Sequence, residues 1–296
     1  MPILVDYSQV SMACVFAAQK HFGEARVTES MIRHMILNSL LMYKRKFGKE
    51  YGELIICCDG SNNWRKAVFP YYKASRQEAK AESAMDWDQI YEFMSTIRSE
   101  LMQIFPYKVL HVDRAEGDDI IAVLSMYFAD NELVQVGLDE IPQRCLIISS
   151  DKDFKQLQVF KHVRQYAPIK ETYLDEPDPQ EYQYELILKG DSGDGVPSVL
   201  SNDDVFVMKI RQKPLTAKRL EPLLEALRGN TPIPEEHARN IARNNTLINL
   251  IDCIPETVKS SIIEAYNEAH VAPRSGLLSY FIKHNLSNLS NEIHNF

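Results

Sequence analysis

Three short apolar runs, each followed within three residues by an aspartate, constrain the fold of this chain most strongly. The runs cover residues 3–5, 54–58 and 146–148, and the aspartates are Asp6, Asp59 and Asp151. Such runs are typical of strands that are buried on both faces of a parallel sheet. Because ligands bind at the carboxyl ends of the strands in α/β sheets, we expect these aspartates to converge at one functional edge.

The segments between these runs carry helical periodicity. Apolar residues recur at three- and four-residue spacing from Trp87 to Ile104, and this pattern predicts an amphipathic helix. Strands that alternate with helices predict an α/β fold over residues 1–180, with a mostly parallel central sheet flanked by helices. An all-helical region is predicted over 181–296, and a loop over 131–143. The C-terminal helices are predicted at 182–189, 203–210, 216–228, 235–249, 256–269, 277–284 and 287–294.

Composition is that of a soluble globular protein, with 45% hydrophobic and 25% charged residues. No apolar run is long enough to cross a membrane, and the first residues lack the basic region of a signal peptide. The five cysteines include no CxxC pair, which argues against a disulfide framework and a zinc site. We therefore expect a reducing cytoplasmic location.

Nine carboxylates in five clusters are candidate metal ligands. Gathered at one sheet edge, they would repel one another unless cations were bound between them. Carboxylates without histidine or cysteine suit Mg²⁺ or Mn²⁺, and a pair of such ions is the usual device for phosphodiester hydrolysis. Alternatively, acids at strand ends are helix caps or solvated residues, which explains one cluster more readily than five. The nine are Asp6, Asp59, Glu116, Asp118, Asp119, Asp151, Asp153, Asp191 and Asp194.

The formal net charge of −8 argues at first against a nucleic-acid partner. However, setting aside the nine clustered carboxylates leaves +1 for the rest of the chain. The negative charge is thus concentrated in the predicted metal site, and a phosphate partner remains compatible with the sequence.

Two further segments suggest contacts with phosphates. Residues 64–76 interleave basic and aromatic side chains, as in sites that hold a nucleic-acid backbone and stack bases. Alternatively, this segment is a surface loop anchored by Trp64 and Phe69. Residues 188–198 contain three glycines that let backbone N–H groups face a phosphate. The alternative there is an ordinary turn between two helices.

Together these motifs resemble the flap endonuclease or 5′-nuclease family, most closely its T-even phage ribonuclease H branch. In chain order they are Asp6, Asp59 with a following YKxxR, ExDD from Glu116, SSDxDF up to Phe154, and GDxxDG over 190–195. A C-terminal PRxxxxSYFxK pattern at 273–283 favours the phage branch. The resemblance implies a PIN-like nuclease core with a helical arch at 60–84, and a helix–three-turn–helix element at 186–210.

The resemblance also implies a 5′→3′ exonuclease and flap endonuclease, with ribonuclease H activity, that removes RNA primers and adjacent DNA during lagging-strand replication. Two Mg²⁺ ions are implied, with Mn²⁺ able to substitute. The first ion would be held mainly by Asp6, Asp59, Glu116 and Asp118. The second would be held mainly by Asp119, Asp151, Asp153 and Asp194, with Asp191 in support.

Several residues match the family's positions for substrate handling. Tyr72, Lys73 and Arg76 match the gateway under the arch, where Lys73 and Arg76 would hold the scissile phosphate as catalytic residues. Arg65 and Lys66 would guide the 5′ strand. The turn glycines Gly190, Gly193 and Gly195 would contact the duplex backbone.

The chain departs from the family in the helix–three-turn–helix element. The usual second glycine-rich turn is replaced by Val-Pro-Ser-Val-Leu-Ser-Asn over 196–202, and Gly195 stands where the family often has asparagine. These departures leave open how firmly the duplex is gripped there, and whether a monovalent cation binds near residues 190–200.

Expected partners follow from the same resemblance. They are RNA/DNA and DNA/DNA duplexes with 5′ flaps, nicks or ends, and a phage single-stranded-DNA-binding protein docked on the C-terminal helices. Plain core packing is an equal explanation for the segment Ser-Tyr-Phe-Ile at 279–282. The chain is expected to be a monomer in the host bacterial cytoplasm, without a membrane partner.

Three rival functions remain open. One is a non-catalytic module that binds DNA junctions, which would have no need of all nine acids. Another is a small-molecule α/β phosphatase with an aspartate nucleophile, which the basic segment fits poorly. The third is the nuclease half of a bacterial polymerase-like system, against which the C-terminal pattern argues.

Overall fold

A six-stranded sheet forms the centre of the chain in a computed structural model, which describes residues 2–23, 27–83, 85–131, 133–136 and 139–296. The strands of the described residues are β1 (Ile3–Asp6), β2 (Leu54–Cys58), β3 (Lys108–His111), β4 (Leu133–Val136), β5 (Asp139–Pro142), β6 (Cys145–Ile148), β7 (Val163–Ala167) and β8 (Thr172–Leu174). The strand order of the sheet is β3-β2-β1-β6-β7-β8, and all pairings are parallel except that of β8 with β7. A separate hairpin pairs β4 with β5.

Twelve α-helices are formed within the described residues. They are α1 (Tyr7–Phe22), α2 (Glu29–Tyr51), α3 (Trp64–Val68), α4 (Ser75–Ala81), α5 (Trp87–Ile104), α6 (Gly117–Asn131), α7 (Pro179–Lys189), α8 (Ala217–Leu227), α9 (Glu235–Ile248), α10 (Glu256–Glu268), α11 (Leu277–Lys283) and α12 (Ser287–Ser290). Short 3-10 helices cover Asp153–Val159, Arg274–Gly276 and Ile293–Asn295.

Both faces of the sheet are covered by helices, which explains the unbroken apolar runs. In β1, Ile3 and Val5 join a core with α1, α2, α5 and the C-terminal tail, whereas Leu4 joins a core with α6 and α10 on the opposite face. Each strand residue therefore packs in one of two cores, and no position in the run is left for a polar side chain. The predicted α/β fold, with a mostly parallel sheet and a helical C-terminal region, is confirmed.

The structure corrects two local predictions. The predicted loop at 131–143 contains the hairpin β4–β5, whose strands pair only with each other and lie against α6. A two-stranded ribbon needs no long apolar run, so residues 131–143 lack the apolar pattern from which the central strands were predicted. The predicted helix at 203–210 is instead a series of turns, and Lys209 ends it with a left-handed φ of 53° that an α-helix cannot continue.

The boundary predicted at residue 180 falls inside α7, and the last strand of the sheet ends before it, at Leu174. The two-region organisation stays a prediction. Among the helices of the described residues, none has the length and apolarity needed to cross a membrane.

Candidate metal centre

Strand ends position the first two aspartates. Asp6 ends β1 and also caps α1, because its Oδ1 accepts the backbone N–H of Gln9 at 3.0 Å. Its Oδ2 accepts the Ser149 hydroxyl at 2.9 Å from the end of the neighbouring β6. The Ser8 hydroxyl, in the first turn of α1, donates to Asp59 Oδ2 at 2.7 Å.

Seven of the nine predicted carboxylates line one cleft of about 500 Å³ at the carboxyl edge of the sheet. They come from β1, the loop after β2, the start of α6, the loop after β6 and the turn after α7. The seven are Asp6, Asp59, Asp118, Asp151, Asp153, Asp191 and Asp194. The structure thus brings together acids from five distant parts of the chain.

The last two of these acids depend on a glycine turn. Asp191 Oδ1 accepts the backbone N–H of Gly193 at 2.8 Å, and Asp191 pairs with Val196 across the turn. Gly190 has a φ of 70°, and a Cβ there would lie 2.4 Å from the carbonyl oxygen of Val196. Only glycine therefore lets the chain turn back and aim Asp194 at the cleft.

Burial and mutual repulsion disfavour the charged state of these carboxyls. Desolvation, with repulsion from Asp59 and Asp151, raises the pKa of Asp6 to about 7. Burial first and neighbouring carboxylates second raise the pKa of Asp118 and of Asp153 well above the ordinary value. Bound cations would relieve this repulsion, so the electrostatics of the cleft fit divalent metals.

The donor set also fits the predicted ions, since it consists of carboxylate oxygens and suits Mg²⁺ or Mn²⁺. Within the residues that the structure describes, no three carboxylates enclose a common position for an ion. Basic side chains of the chain itself contact three of the nine predicted acids: Glu116, Asp119 and Asp194.

Tyr72, Lys73 and Arg76 belong to residues 64–76, the arch base, and contact two of the acids, Glu116 and Asp194. The Tyr72 hydroxyl lies 2.7 Å from Asp194 Oδ2 and 2.9 Å from Glu116 Oε2. Lys73 Nζ pairs with Glu116 and lies 3.4 Å from Asp194 Oδ2. Arg76 pairs with Asp194 and donates from Nε to the carbonyl oxygen of Gly193 at 3.1 Å. Lys73 and Arg76 line the cleft themselves, so both cations stand beside the carboxylates.

The arch base is also joined to the glycine turn through the backbone. Lys73, which has a left-handed φ of 57°, donates its backbone N–H to the carbonyl oxygen of Asp194 at 2.7 Å. A Cβ at Gly195 would lie 3.0 Å from the carbonyl oxygen of Tyr71. The two segments are therefore in direct contact beside the cleft.

Asp119 is not among the acids that line the cleft. Its side chain is fully buried and accepts hydrogen bonds from Arg65 at 2.7 and 3.0 Å and from Trp64 Nε1 at 3.1 Å. It also accepts the backbone N–H of Glu116 at 2.9 Å. This placement departs from the expectation that Asp119 is a ligand of the second ion, because its oxygens face α3 instead of the cleft.

Glu116 likewise lies behind the cleft lining. Although burial alone would raise its pKa, Lys73 and Arg65 hold the pKa of Glu116 at about 2. Its oxygens contact Arg65, Tyr72 and Lys73. Glu116 is thus a charged carboxylate compensated by cations of the protein, next to the acids that line the cleft.

Arg65 is buried, whereas Lys66 is exposed. Arg65 is 2% exposed and donates from Nε to the carbonyl oxygen of Leu247 in α9 at 2.8 Å, as well as pairing with Asp119 and Glu116. This placement departs from the expectation that Arg65 guides the 5′ strand, because its guanidinium is enclosed by protein. Trp64 and Phe69 are buried too, so they anchor the arch base.

Sequence reasoning missed the neutral residues that hold the acids. Ser149 orients Asp6, and Gln165 in β7 donates to the carbonyl oxygen of Ser149 at 3.0 Å. The Ser-Ser pair before Asp151 was the available signal. Nothing in the sequence marked Gln165, which reaches this loop only through the pairing of β6 with β7.

Comparison with known proteins finds relatives over nearly the whole chain. A family model described as 5′-3′ exonuclease, N-terminal resolvase-like domain, matches residues 2–185, and a model described as T4 RNase H, C terminal, matches residues 181–296. Ribonuclease H of Enterobacteria phage T4 is 30% identical over 302 residues, which cover 99% of this chain and 95% of that protein. Flap endonuclease Xni of a Shewanella strain is 26% identical over 155 residues, covering 49% of this chain and 52% of its own length.

Solved structures share the fold. The bacteriophage T5 5′-exonuclease with bound zinc aligns with a TM-score of 0.57 at 15% identity, covering 91% of this chain and 98% of that one. A T5 flap endonuclease variant in a pseudo-enzyme-product complex with DNA and metal ions gives the same TM-score and identity, with 90% and 99% covered. Since the two family models together span residues 2–296 and the phage relative aligns over 95% of its own length, the chain belongs to the 5′-3′ exonuclease family that includes phage T4 ribonuclease H.

Proposed function

We propose that this metal-dependent 5′ nuclease acts as a 5′→3′ exonuclease and flap endonuclease that removes RNA primers and adjacent DNA during lagging-strand replication. Membership of the family makes the chain a structure-specific nuclease. The observation that carries the proposal is the cleft in which seven aspartates lie beside Lys73 and Arg76. Acids that bind cations and cations that bind phosphate are then adjacent, as in metal-dependent hydrolysis of phosphodiesters.

The proposal assigns two Mg²⁺ ions to this cleft, with Mn²⁺ as a substitute. Asp6, Asp59 and Asp118 would hold one, and Asp151, Asp153 and Asp194 the other, with Asp191 in support. When bound, such ions lower the pKa of a water nucleophile and offset the charge of the leaving oxygen. Glu116 adds negative charge from behind the cleft, and Asp119 is assigned to Arg65 instead.

Lys73 and Arg76 are the proposed phosphate-binding cations. They line the cleft, and the Lys73 side chain is 16% exposed while that of Arg76 is 50% exposed. Both are held by Asp194, so they are oriented before a substrate arrives. Tyr72 is buried and contacts the same carboxylates, so its proposed role is to hold Asp194 and Glu116 beside the two cations.

The substrate class follows from the turn and from the relatives. The backbone N–H groups of Gly190, Gly193 and Gly195 donate within the chain, so these glycines would let the duplex backbone approach the turn closely, without reading sequence, instead of donating to its phosphates. The relatives include a flap endonuclease and a ribonuclease H, and one solved structure of this fold holds DNA. These support 5′ flaps, nicks and ends of RNA/DNA and DNA/DNA duplexes as substrates of this chain.

Further parts of the proposal concern assembly. We expect the chain to work as a monomer in the host bacterial cytoplasm. A phage single-stranded-DNA-binding protein is the proposed partner of the C-terminal helices. The solvent-exposed apolar residues Leu278 and Ile282 of α11 give such a partner an apolar contact, and neighbouring Tyr280 and Phe281 are buried in the core.

A flap-cleavage assay tests the central proposal. Wild-type protein should cleave a labelled 5′-flap duplex in Mg²⁺, fail in EDTA, and recover when Mg²⁺ or Mn²⁺ is restored. Asp151→Asn should abolish cleavage and leave flap binding largely intact, whereas Asp175→Asn, at an exposed aspartate outside the cleft, should cleave normally. Cleavage by Asp151→Asn at the wild-type rate would refute the metal-site assignment, and binding without cleavage by wild type would favour a junction-binding module.

A further inference from the structure

A basic, acid-free segment follows the glycine turn in the C-terminal region. Residues 205–220 contain five lysines and arginines and no aspartate or glutamate, although the whole chain has a net charge of −8. Such a concentration of one sign of charge focuses a positive potential on one part of the surface. It has no part in the metal centre described above.

Four of these cations are available to a ligand. Arg211, Lys213, Lys218 and Arg219 are all exposed. Among the described residues, the ion pairs of this region use other cations: Lys189, Arg228, Arg239 and Arg243. Arg219 donates one bond to the carbonyl oxygen of Pro214 at 3.2 Å, and its charge is not neutralised by that contact.

The segment is fixed to the helix–turn element that precedes it. Gln212 Oε1 accepts the backbone N–H of Ser198 at 2.8 Å, and the backbone N–H of Lys213 donates to the Ser201 hydroxyl at 3.1 Å. Gln212 therefore faces inward while its neighbours Arg211 and Lys213 remain exposed. The cations are held directly beside the turn that is proposed to contact the duplex.

The start of the segment is fastened as well. Asp203 pairs with Arg239 and Arg243 of α9, and Arg243 also donates to the carbonyl oxygen of Pro197 at 3.1 Å. The turns between Asp203 and Lys209 thus begin at a residue that two ion pairs hold in place. Anchoring matters because a fixed cation loses little conformational entropy when it binds a phosphate.

Lys213, Lys218 and Arg219 line a groove of about 520 Å³ between the starts of α8 and α9. Leu200 and Leu223 also line this groove, and among its described lining residues Glu236 is the acidic one. Three cations against one carboxylate leave the groove positive. Phenylalanine, tyrosine and tryptophan, which stack unpaired bases, are absent from this described lining, and His237 is its one aromatic ring, so a single strand is a poorer fit than a duplex backbone.

We propose that Arg211, Lys213, Lys218 and Arg219 form a second contact for the phosphate backbone of duplex nucleic acid, continuous with the glycine turn. This basic strip takes over the grip that the missing second glycine-rich turn supplies elsewhere in the family. The inference rests on the proposed function, because it assumes a duplex on the turn. The contact is sequence-independent and extends the footprint beyond the metal centre.

Salt-dependent binding tests the proposal. The probe is a fluorescently labelled duplex of 30 base pairs with a 5′ flap, titrated in EDTA so that it is not cleaved. The triple variant Arg211→Gln, Lys213→Gln, Lys218→Gln should bind about tenfold or more weakly at low salt. Its slope of log affinity against log salt should be shallower by about 2.7, since each lost phosphate contact removes about 0.9 from the slope.

Two control variants keep the result interpretable. Lys49→Gln, Lys161→Gln, Lys170→Gln removes three exposed lysines elsewhere and should bind with the wild-type affinity and slope. Lys213→Arg, Lys218→Arg retains the charge and should also bind like wild type. Thermal melting should place all variants close to wild type, since surface substitutions usually change stability little.

The outcomes separate this inference from the proposed function. If the triple variant binds the duplex with wild-type affinity and slope, the basic strip is not a duplex contact. The same holds if the triple variant loses only its binding to polyglutamate, an acidic peptide that is titrated beside the duplex. Equal losses in the triple variant and the elsewhere-lysine control would also overturn it, by showing a general charge effect. A wild-type protein that neither binds nor cleaves the flap would instead overturn the proposed function.

Discussion

The buried Arg65–Asp119 pair gives a sharp prediction about stability. Arg65 is 2% exposed and its guanidinium bonds to Asp119, Glu116 and the carbonyl oxygen of Leu247. Arg65→Met would leave Asp119, which is fully buried, without its cation. Removing one partner of a buried pair costs about 3–5 kcal/mol, so the free energy of unfolding should fall by about that amount.

The assay is urea denaturation in EDTA, followed by circular dichroism. The matched control is Arg239→Met, because Arg239 pairs with Asp203 while its side chain is 73% exposed. An exposed pair contributes about 0–1 kcal/mol, so the control should unfold almost like wild type. The double variant Arg65→Met, Asp119→Leu removes both charges and should recover part of the loss, because Lys73 still pairs with Glu116 while the N–H groups of Trp64 and Glu116 lose their acceptor.

The same experiment discriminates the two roles considered for Asp119. As a partner of Arg65, it should stabilise the chain equally with and without Mg²⁺, so Asp119→Asn should destabilise the protein in EDTA. The buried pair is not a stabilising contact if Arg65→Met lowers the free energy of unfolding no more than Arg239→Met does. It is also refuted if Asp119→Asn lowers stability only when Mg²⁺ is present.

The remaining predictions concern pH, the glycine turn and turnover. Because the pKa of Asp6 is raised from 3.8 to about 7 in the fold, its contribution to stability is present below about pH 4 and is lost as pH rises through 7. Chemical denaturation of the metal-free protein should show this loss of stability. The loss should be absent from Asp6→Asn. Glu116 has the opposite sign, since its pKa is lowered from 4.5 to about 2; its contribution is present above about pH 4.5 and is lost as pH falls through 2, and Glu116→Gln should flatten this acid limb of the same titration. Gly190→Ala should lower the free energy of unfolding by more than about 2 kcal/mol, since about 1–3 kcal/mol of backbone strain is added to a close contact with a carbonyl oxygen. Gly229→Ala, at a φ of 84° with open space around it, should show the backbone strain alone. Equal losses of stability in urea denaturation would contradict the close contact at Gly190. Lys73→Ala should slow single-turnover flap cleavage far more than it weakens flap binding, and a loss of affinity with unchanged turnover would show that Lys73 only binds.

Much of the sheet and of the acid edge could be predicted from the sequence, because both depend on local patterns. Apolar runs ending near Asp6, Asp59 and Asp151 identify strands, and parallel strands bring their carboxyl ends to one edge. The hairpin β4–β5 could not be predicted in the same way, since its strands do not form part of the buried sheet.

The assignment of individual acids depends on geometry that the motif does not contain. Asp118 and Asp119 are adjacent in the first turn of α6, and successive helical residues point about 100° apart. Asp118 therefore lines the cleft while Asp119 faces Arg65 on α3. Arg65 and Lys66 are likewise adjacent in a basic segment, and only the buried partner 54 residues further on distinguishes them.

The backbone bond from Lys73 to Asp194 has a mechanical consequence. A duplex seated on the glycine turn would press on the same short piece of chain that carries Lys73, the lysine proposed to bind phosphate, so seating and alignment would occur as one event. Exchanging residues 186–200 for a foreign turn would therefore misalign Lys73 even if every carboxylate were retained. Chimaeras of this family should accordingly transfer the arch base and the turn as a single cassette.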